Sequence, residues 1–161
     1  MPKSDFPNTY EVANRYGQMA VNQMKARLRA ADKHGGELEQ SIKYRIVYTD
    51  SGVEVQFRMS KTADYVEQGR KAYGDNKTHD PPVVKRWGNS LLKKWMARKG
   101  IDESRKYAIA RGIGRYGIEP YKFRYITNTL WRQYQNQYEK AIAKDFELQL
   151  QKIINEEFKN K

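Results

Sequence analysis

The chain offers little that could act as a catalyst. It has no cysteine, so thiol chemistry, disulfides and Cys-based zinc sites are excluded. Its two histidines, His34 and His79, fall in turn-rich stretches beside Gly35 and Asp80, without the H-E-x-x-H spacing that puts two imidazoles on one helix face. His79-Asp80 therefore reads as a solvated loop pair. The acid pairs are no more suggestive: Asp102-Glu103 suits a helix N-terminus and Glu156-Glu157 a solvated face. No G-x-S-x-G elbow or phosphate-binding loop occurs. Gly112-Ile113-Gly114-Arg115-Tyr116-Gly117 matches G-x-G-x-x-G. A dinucleotide fingerprint needs a buried strand before it and a helix after it. Here a basic helical segment precedes it and Ile118-Glu119-Pro120 follows, so close packing and a helix end explain these glycines. The expectation is a non-enzyme with no cofactor and no metal.

What the sequence does concentrate is positive charge. The 161 residues carry 31 Lys+Arg against 19 Asp+Glu, a net charge of +12. Between 85 and 124 stand Lys85, Arg86, Lys93, Lys94, Arg98, Lys99, Arg105, Lys106, Arg111, Arg115, Lys122 and Arg124, opposed only by Asp102, Glu103 and Glu119. That segment holds +9 of the total. Such a surface suits polyanions without reading base sequence; a merely solvated cationic face is the plainer reading. Trp87 and Trp95 fall on the apolar side of a helix and read as core rather than as base-stacking platforms. No helix-turn-helix, zinc-finger or RNP signature accompanies the charge.

The elements that must position these residues follow from periodicity. Residues 1–8, with Pro2 and Pro7, read as a flexible arm. A helix is expected from Thr9 to Lys33, capped by Asn8 with Glu11 three residues on, with Val12, Tyr16, Met19, Val21, Met24 and Leu28 as its apolar stripe. Its methionines read as core fillers. One helical turn over 37–41 precedes a change of period from 3.6 to 2. Ile42, Tyr44, Ile46 and Tyr48 alternate along one strand; Val53, Val55, Phe57 and Met59 along a second; Asp50-Ser51-Gly52 is the turn between them. Two strands are marginal alone, so they pack on a helix, recruit strands or meet another subunit.

A short helix over Ala63–Gln68 stops at Gly69, and residues 70–82 form a loop of the length usually kept for function. A helix over 83–99 presents Val84, Trp87, Leu91, Trp95 and Met96 on one face and ends at Gly100. Asp102 caps another over 103–116, with Ile109, Ile113 and Tyr116 on one face, and Ala108, Ala110, Gly112 and Gly114 keeping it slim. The last helix, 127–158, carries Trp131, Tyr134, Tyr138, Ile142, Phe146, Leu150, Ile153 and Phe158, with no Pro or Gly. At 1.5 Å per residue it spans about 45 Å. It either projects towards a neighbour or wraps its own domain.

The fold class expected is α+β: a hairpin or small antiparallel sheet on a long N-terminal helix, with added basic helices and a long C-terminal one. The whole of 1–161 reads as a single domain, with 9–82 the helix-plus-hairpin core and 83–118 the basic helical pair. Met1–Asp5 has no apolar run behind it, so a secretory leader is not expected. No segment approaches the length of a membrane span, and no membrane association is expected.

Three short motifs give this order more meaning. Gly36, Leu38, Ser41 and Ile42 form a Gly-x-Leu-x-x-Ser-Ile lead-in to a strand. Tyr65, Val66, Glu67 and Gly69 form a Tyr-Val-Glu-x-Gly turn after the hairpin. Pro120, Tyr121 and Phe123 approximate a Pro-Phe segment before the final helix. Over about residues 10–130 this order resembles the head–tail joining and tail-completion (neck or ring) proteins of tailed bacteriophages. The chain departs from that pattern in its basic helical insertion and in its long last helix. The resemblance implies a structural virion protein assembled in the host cytoplasm as a ring of six or twelve copies. Its partners would be portal or adaptor and tail proteins, with DNA passing through the lumen. Lys85, Arg86, Lys93, Lys94, Arg98, Lys99, Arg105, Lys106, Arg111 and Arg115 would face DNA or acidic neighbours. Tyr65, Glu67, Arg70, Trp131 and Tyr138 would meet adjacent subunits, Tyr65 and Val66 also packing on the hairpin. The competing reading is a free, sequence-nonspecific nucleic-acid-binding protein.

Overall fold

Pro7 opens a helix at the position where a missing N–H costs nothing. The computed structural model describes residues 6–31, 36–49, 52–69 and 88–159, excluding the side chains of 88–91 and 159. The chain forms two compact units, Met1–Ala63 with Phe123–Lys161, and Asp64–Lys122.

In the first unit, α1 (Pro7–Ala30) buries Val12, Ala13, Tyr16, Ala20, Val21, Met24 and Leu28. Met19, expected in that stripe, is exposed. After one turn of helix, α2 (Glu37–Ser41), β1 (Lys43–Thr49) and β2 (Gly52–Arg58) pair antiparallel, Tyr44 opposite Phe57 and Tyr48 opposite Val53. The hairpin packs on α1. Tyr44 donates to Asn14 Oδ1 at 2.8 Å, and the rings of Tyr10 and Tyr48 stack 6.3 Å apart. Tyr44 lies so close to α1 that a Cβ on Gly17 would come within 2.9 Å of three of its ring atoms. The Gly36–Ile42 lead-in is structural. Leu38 and Ile42 are buried, and the Ser41 hydroxyl donates to the Leu38 carbonyl while accepting from the Ser60 amide, each at 2.8 Å.

The last helix, α6 (Ile126–Lys159), runs antiparallel to α1. Tyr16 packs near its start, its hydroxyl donating to the Thr127 carbonyl, while Asn8 and Thr9 meet Asp145 seventeen residues or more further along. Tyr16, Ala20 and Leu130 form a core with Val55, Phe57, Ile126 and Tyr134 around them. Phe123, just before the helix, is fully buried.

In the second unit, α4 (Gly88–Arg98), a 3-10 turn (Glu103–Arg105) and α5 (Lys106–Tyr116) pack around Leu92, Met96 and Ala110, with Ile101, Ile109 and Ile113 beside them. Gly100 has φ +62, and the amides of Gly100 and Ile101 donate to the Ala97 and Met96 carbonyls. This is a Schellman closure, with Ile101 packed beside Met96 as the motif requires. Asp102 accepts from the Ser104 amide at 2.8 Å, the cap expected of it. The Ser104 hydroxyl first and this amide second hold its pKa below the ordinary carboxylate value. In sequence, the strands are followed by α3 (Thr62–Gln68), ended by Gly69 at φ +65.

Several expectations need correction. Asn8 does not cap α1: the helix starts at Pro7 with Phe6 at the cap position and no side-chain cap bond. Glu11 pairs instead with Arg15 at 3.1 Å. The apolar face of α4 is turned by one residue, with Leu92 and Met96 in the core and Trp95 exposed. Leu92 and Met96, one turn apart, pack on Ala110 of α5. Tyr116 is also exposed, covered by the Arg115 guanidinium 5.5 Å from its ring centre. Tyr65, expected to pack on the hairpin, is exposed.

Candidate assembly surfaces

One carboxylate organises the α1–α6 pair. Asp145 Oδ1 accepts from the Asn8 backbone amide (3.1 Å) and the Asn8 side-chain amide (2.7 Å), and Oδ2 from the Thr9 amide (2.8 Å) and hydroxyl (2.6 Å). Pro7 has no N–H, and Tyr10 makes the first intrahelical bond, to the Phe6 carbonyl. A residue 137 positions away therefore does what a local cap would do. Asp145 is fully buried. Burial pushes its pKa up, but the four donors outweigh it and hold the carboxyl below its ordinary value. The positive end of the α1 dipole favours the same charged form.

Past Asp145 nothing of α1 lies alongside, and about 21 Å of α6 continues beyond it. Phe146, Leu150, Ile153 and Phe158 are 54%, 57%, 57% and 75% exposed, with Leu148 and Ile154 also in solvent. At 100° per residue, Trp131, Tyr138, Ile142, Phe146 and Ile153 fall within a quarter turn of one another. The first half of α6 packs on α1, and its second half carries an apolar stripe outwards.

The near end of that stripe is aromatic. Trp131 meets Tyr138 at 5.3 Å and 64° and Tyr16 at 5.5 Å and 72°, while Tyr16 also meets Phe57 at 6.0 Å and 74°. These are edge-to-face contacts of the favourable kind. Tyr138 donates its hydroxyl to the Val53 carbonyl, and burial raises the pKa of both Tyr16 and Tyr138. Trp131 is partly exposed. A cleft of about 380 Å³ opens here, lined by Tyr16, Val53, Glu54, Val55, Trp131 and Tyr138.

The Tyr-Val-Glu-x-Gly turn and the late Pro-x-x-Phe segment come together at one end. The Tyr121 amide donates to the Val66 carbonyl at 2.9 Å. Gly69 sits directly on the chain at 118–120: a Cβ there would lie within 2.9 Å of Ile118 O, Pro120 N and Glu119 C. Glu67 is half-buried.

The basic residues are less uniform than their sequence suggests. Lys94, Arg98, Arg105, Arg111 and Arg115 are exposed and Lys99 is half-buried. Lys93 pairs with Glu103 at 2.5 Å, a surface ion pair worth well under about 1 kcal/mol. Lys106, expected to face DNA or an acidic neighbour, is nearly buried. It is only 8% exposed, its stem packed at the start of α5 and its ammonium 5.8 Å from the Tyr107 ring centre. His34, His79, Arg70, Lys85, Arg86, Val84 and Trp87, the arm 1–5 and the loop 70–82 lie outside the described residues. Gly112 and Gly114 lie within α5, with no strand leading into them, so the G-x-G-x-x-G spacing carries no dinucleotide geometry. Among the described residues there is no group of three acidic or histidine side chains able to hold a metal, and no helix long and apolar enough to cross a membrane.

No protein-family model, curated protein or solved structure matches the chain.

Proposed function

We propose that the chain is a structural virion protein of a tailed bacteriophage, a subunit of a ring in the neck between the portal and the tail that surrounds the DNA channel. The observation that carries this reading is the far half of α6. A stripe of Phe146, Leu150 and Ile153 in water, with Phe158 exposed near the helix end, is a liability for a monomer and an asset for a subunit completed by its neighbours. The meeting of the Tyr65–Gly69 turn with the 118–121 segment supports the reading a second way, because two of the three motifs that carry the family resemblance serve one joint. The mechanism is mechanical: apolar helix faces close the ring, and the exposed cations of the second unit screen passing phosphate or dock acidic neighbours.

Light scattering and negative-stain imaging of the full chain test this directly. Closed rings are expected. Phe146→Glu combined with Ile153→Glu yields monomers with unchanged far-ultraviolet circular dichroism, since both side chains already lie in water. A chain that stays monomeric alone and also fails to join DNA-filled, tailless heads overturns the reading.

The exposed cations give a second reading, a free nucleic-acid-binding protein, a sharp test of its own. Reversing Lys94, Arg105 and Arg111 to Glu reduces DNA affinity at low salt by about tenfold or more and flattens the salt dependence. In a ring subunit the same variant still assembles. If instead tight DNA binding by a monomer disappears, the free-binding reading prevails.

A further inference from the structure

The cleft beside Trp131 has a consistent electrostatic character. In an antiparallel pair, alternate residues turn their N–H and C=O away from the partner strand. Tyr138 donates to the Val53 carbonyl, so Val53, Val55 and Phe57 form the outward set of β2. The carbonyls of Val53 and Val55 therefore face the edge where the cleft lies. Glu54 stands at its rim, close enough that its charge contributes to raising the Tyr138 pKa, and is touched by the Gln56 side-chain amide at 3.3 Å. Three aromatic rings complete the lining. Ring faces, a carboxylate and an outward carbonyl all attract a cation, and among the described residues no positively charged one lines the cleft.

We propose that this cleft binds the guanidinium group of an arginine from a second copy of the chain. Arginine fits better than lysine because its planar group stacks on an indole or phenol while its fork of donors reaches both Glu54 and the Val55 carbonyl. A second copy is the occupant for two reasons. The chain has a net charge of +12 and holds exposed Arg105 and Arg111. Trp131 and Tyr138 also lie on the same quarter turn of α6 as Phe146 and Ile153, so the cleft is continuous with the stripe assigned above to subunit contact. The inference rests on that ring reading for its occupant, though not for its chemistry.

The two parts separate experimentally. In a Trp87→Phe/Trp95→Phe background Trp131 is the remaining indole. At dilutions where scattering reports monomers, N-acetyl-arginine amide produces a saturable change in its fluorescence, and N-acetyl-lysine amide a several-fold weaker one. Glu54→Gln lowers the arginine affinity about tenfold and raises by a similar factor the concentration at which wild-type Trp87 and Trp95 chains associate. A Trp131 signal indifferent to the arginine amide, or equal for both amides, overturns the guanidinium site. Saturable arginine binding by a chain that never associates, either alone or on DNA-filled, tailless heads, keeps the site's chemistry but overturns the second copy as occupant, and the ring with it. Rings that form unchanged in Glu54→Gln overturn the occupant while leaving the ring intact.

Discussion

Replacing Asp145 with alanine is expected to destabilise the first unit by about 2 to 4 kcal/mol, from the lost helix cap and the buried donors left unsatisfied. The change strands four donors at once, two of them backbone amides at the start of α1 that no local side chain can reach. Against a total stability of about 5 to 15 kcal/mol, that is enough to lower the melting temperature by about 10 °C. Asp145→Asn keeps one carbonyl acceptor but introduces a donor among donors and removes the charge facing the helix dipole. It should lie between wild type and alanine. Urea melts of the three proteins at neutral pH measure this, and an alanine variant within 1 kcal/mol of wild type, the scale of one ordinary hydrogen bond, would show that the carboxylate is not the cap it resembles.

The same contact sets a pH dependence. The folded-state pKa of Asp145 lies below its unfolded value of about 3.9. The unfolded chain therefore takes up the proton first as acid is added. The stabilisation is fully present above about pH 4 to 5 and is lost as pH falls through the lower folded value. Asp145→Asn removes that part of the acid sensitivity, so the stability gap between the two proteins narrows on acidification.

Much of the fold was legible because it rests on short periods. The alternation over 42–48 and 53–59 specifies a hairpin with one buried face, and the structure pairs those residues in the register a two-residue connection demands. Gly69 and Gly100 are legible for another reason: both have positive φ, where glycine avoids the strain that a side chain incurs. The start of α1 was not legible. Asn8 has the chemistry of a cap and the sequence around it reads as a capping box, but the true cap lies 137 residues away, and no local pattern can announce it. Asp145 itself sits in a run of mixed polar and apolar residues that reads as solvated helix.

The candidate surfaces divide in the same way. Trp131 and Tyr138 were identifiable as large aromatics at helical spacing, and they do lie at the mouth of a cleft. Glu54 was not, since an acid alternating with valines on a strand reads as solvent-facing, and only the position of α6 beside β2 makes it a rim. Lys106 misleads for the opposite reason. One lysine among many in a basic run carries no mark that its stem is buried, because amphipathic side chains hide the stem and keep the charge at the surface.

The second large effect is expected at Gly69, and it separates two causes that usually travel together. Gly69→Ala meets a backbone at φ +65, which costs a residue with a Cβ about 1 to 2 kcal/mol. It also drives that Cβ into Ile118 O, Pro120 N and Glu119 C. These are main-chain atoms, one in a proline ring, and they cannot swing aside as a side chain would. Displacing them costs a further 1 to 3 kcal/mol or so, for a total of about 2 to 5 kcal/mol. Asparagine tolerates the left-handed conformation far better than alanine but brings the same Cβ. If overlap dominates, Gly69→Asn is nearly as harmful as Gly69→Ala; if backbone strain dominates, asparagine recovers most of the loss. The geometry favours overlap. Amide exchange at Tyr121, whose N–H donates to the Val66 carbonyl, should rise in both variants while amides within α1 keep their protection. Full protection of Tyr121 in Gly69→Asn would mean that the glycine is required for its φ alone, and that the 118–121 segment is not held against the turn as closely as its contacts indicate.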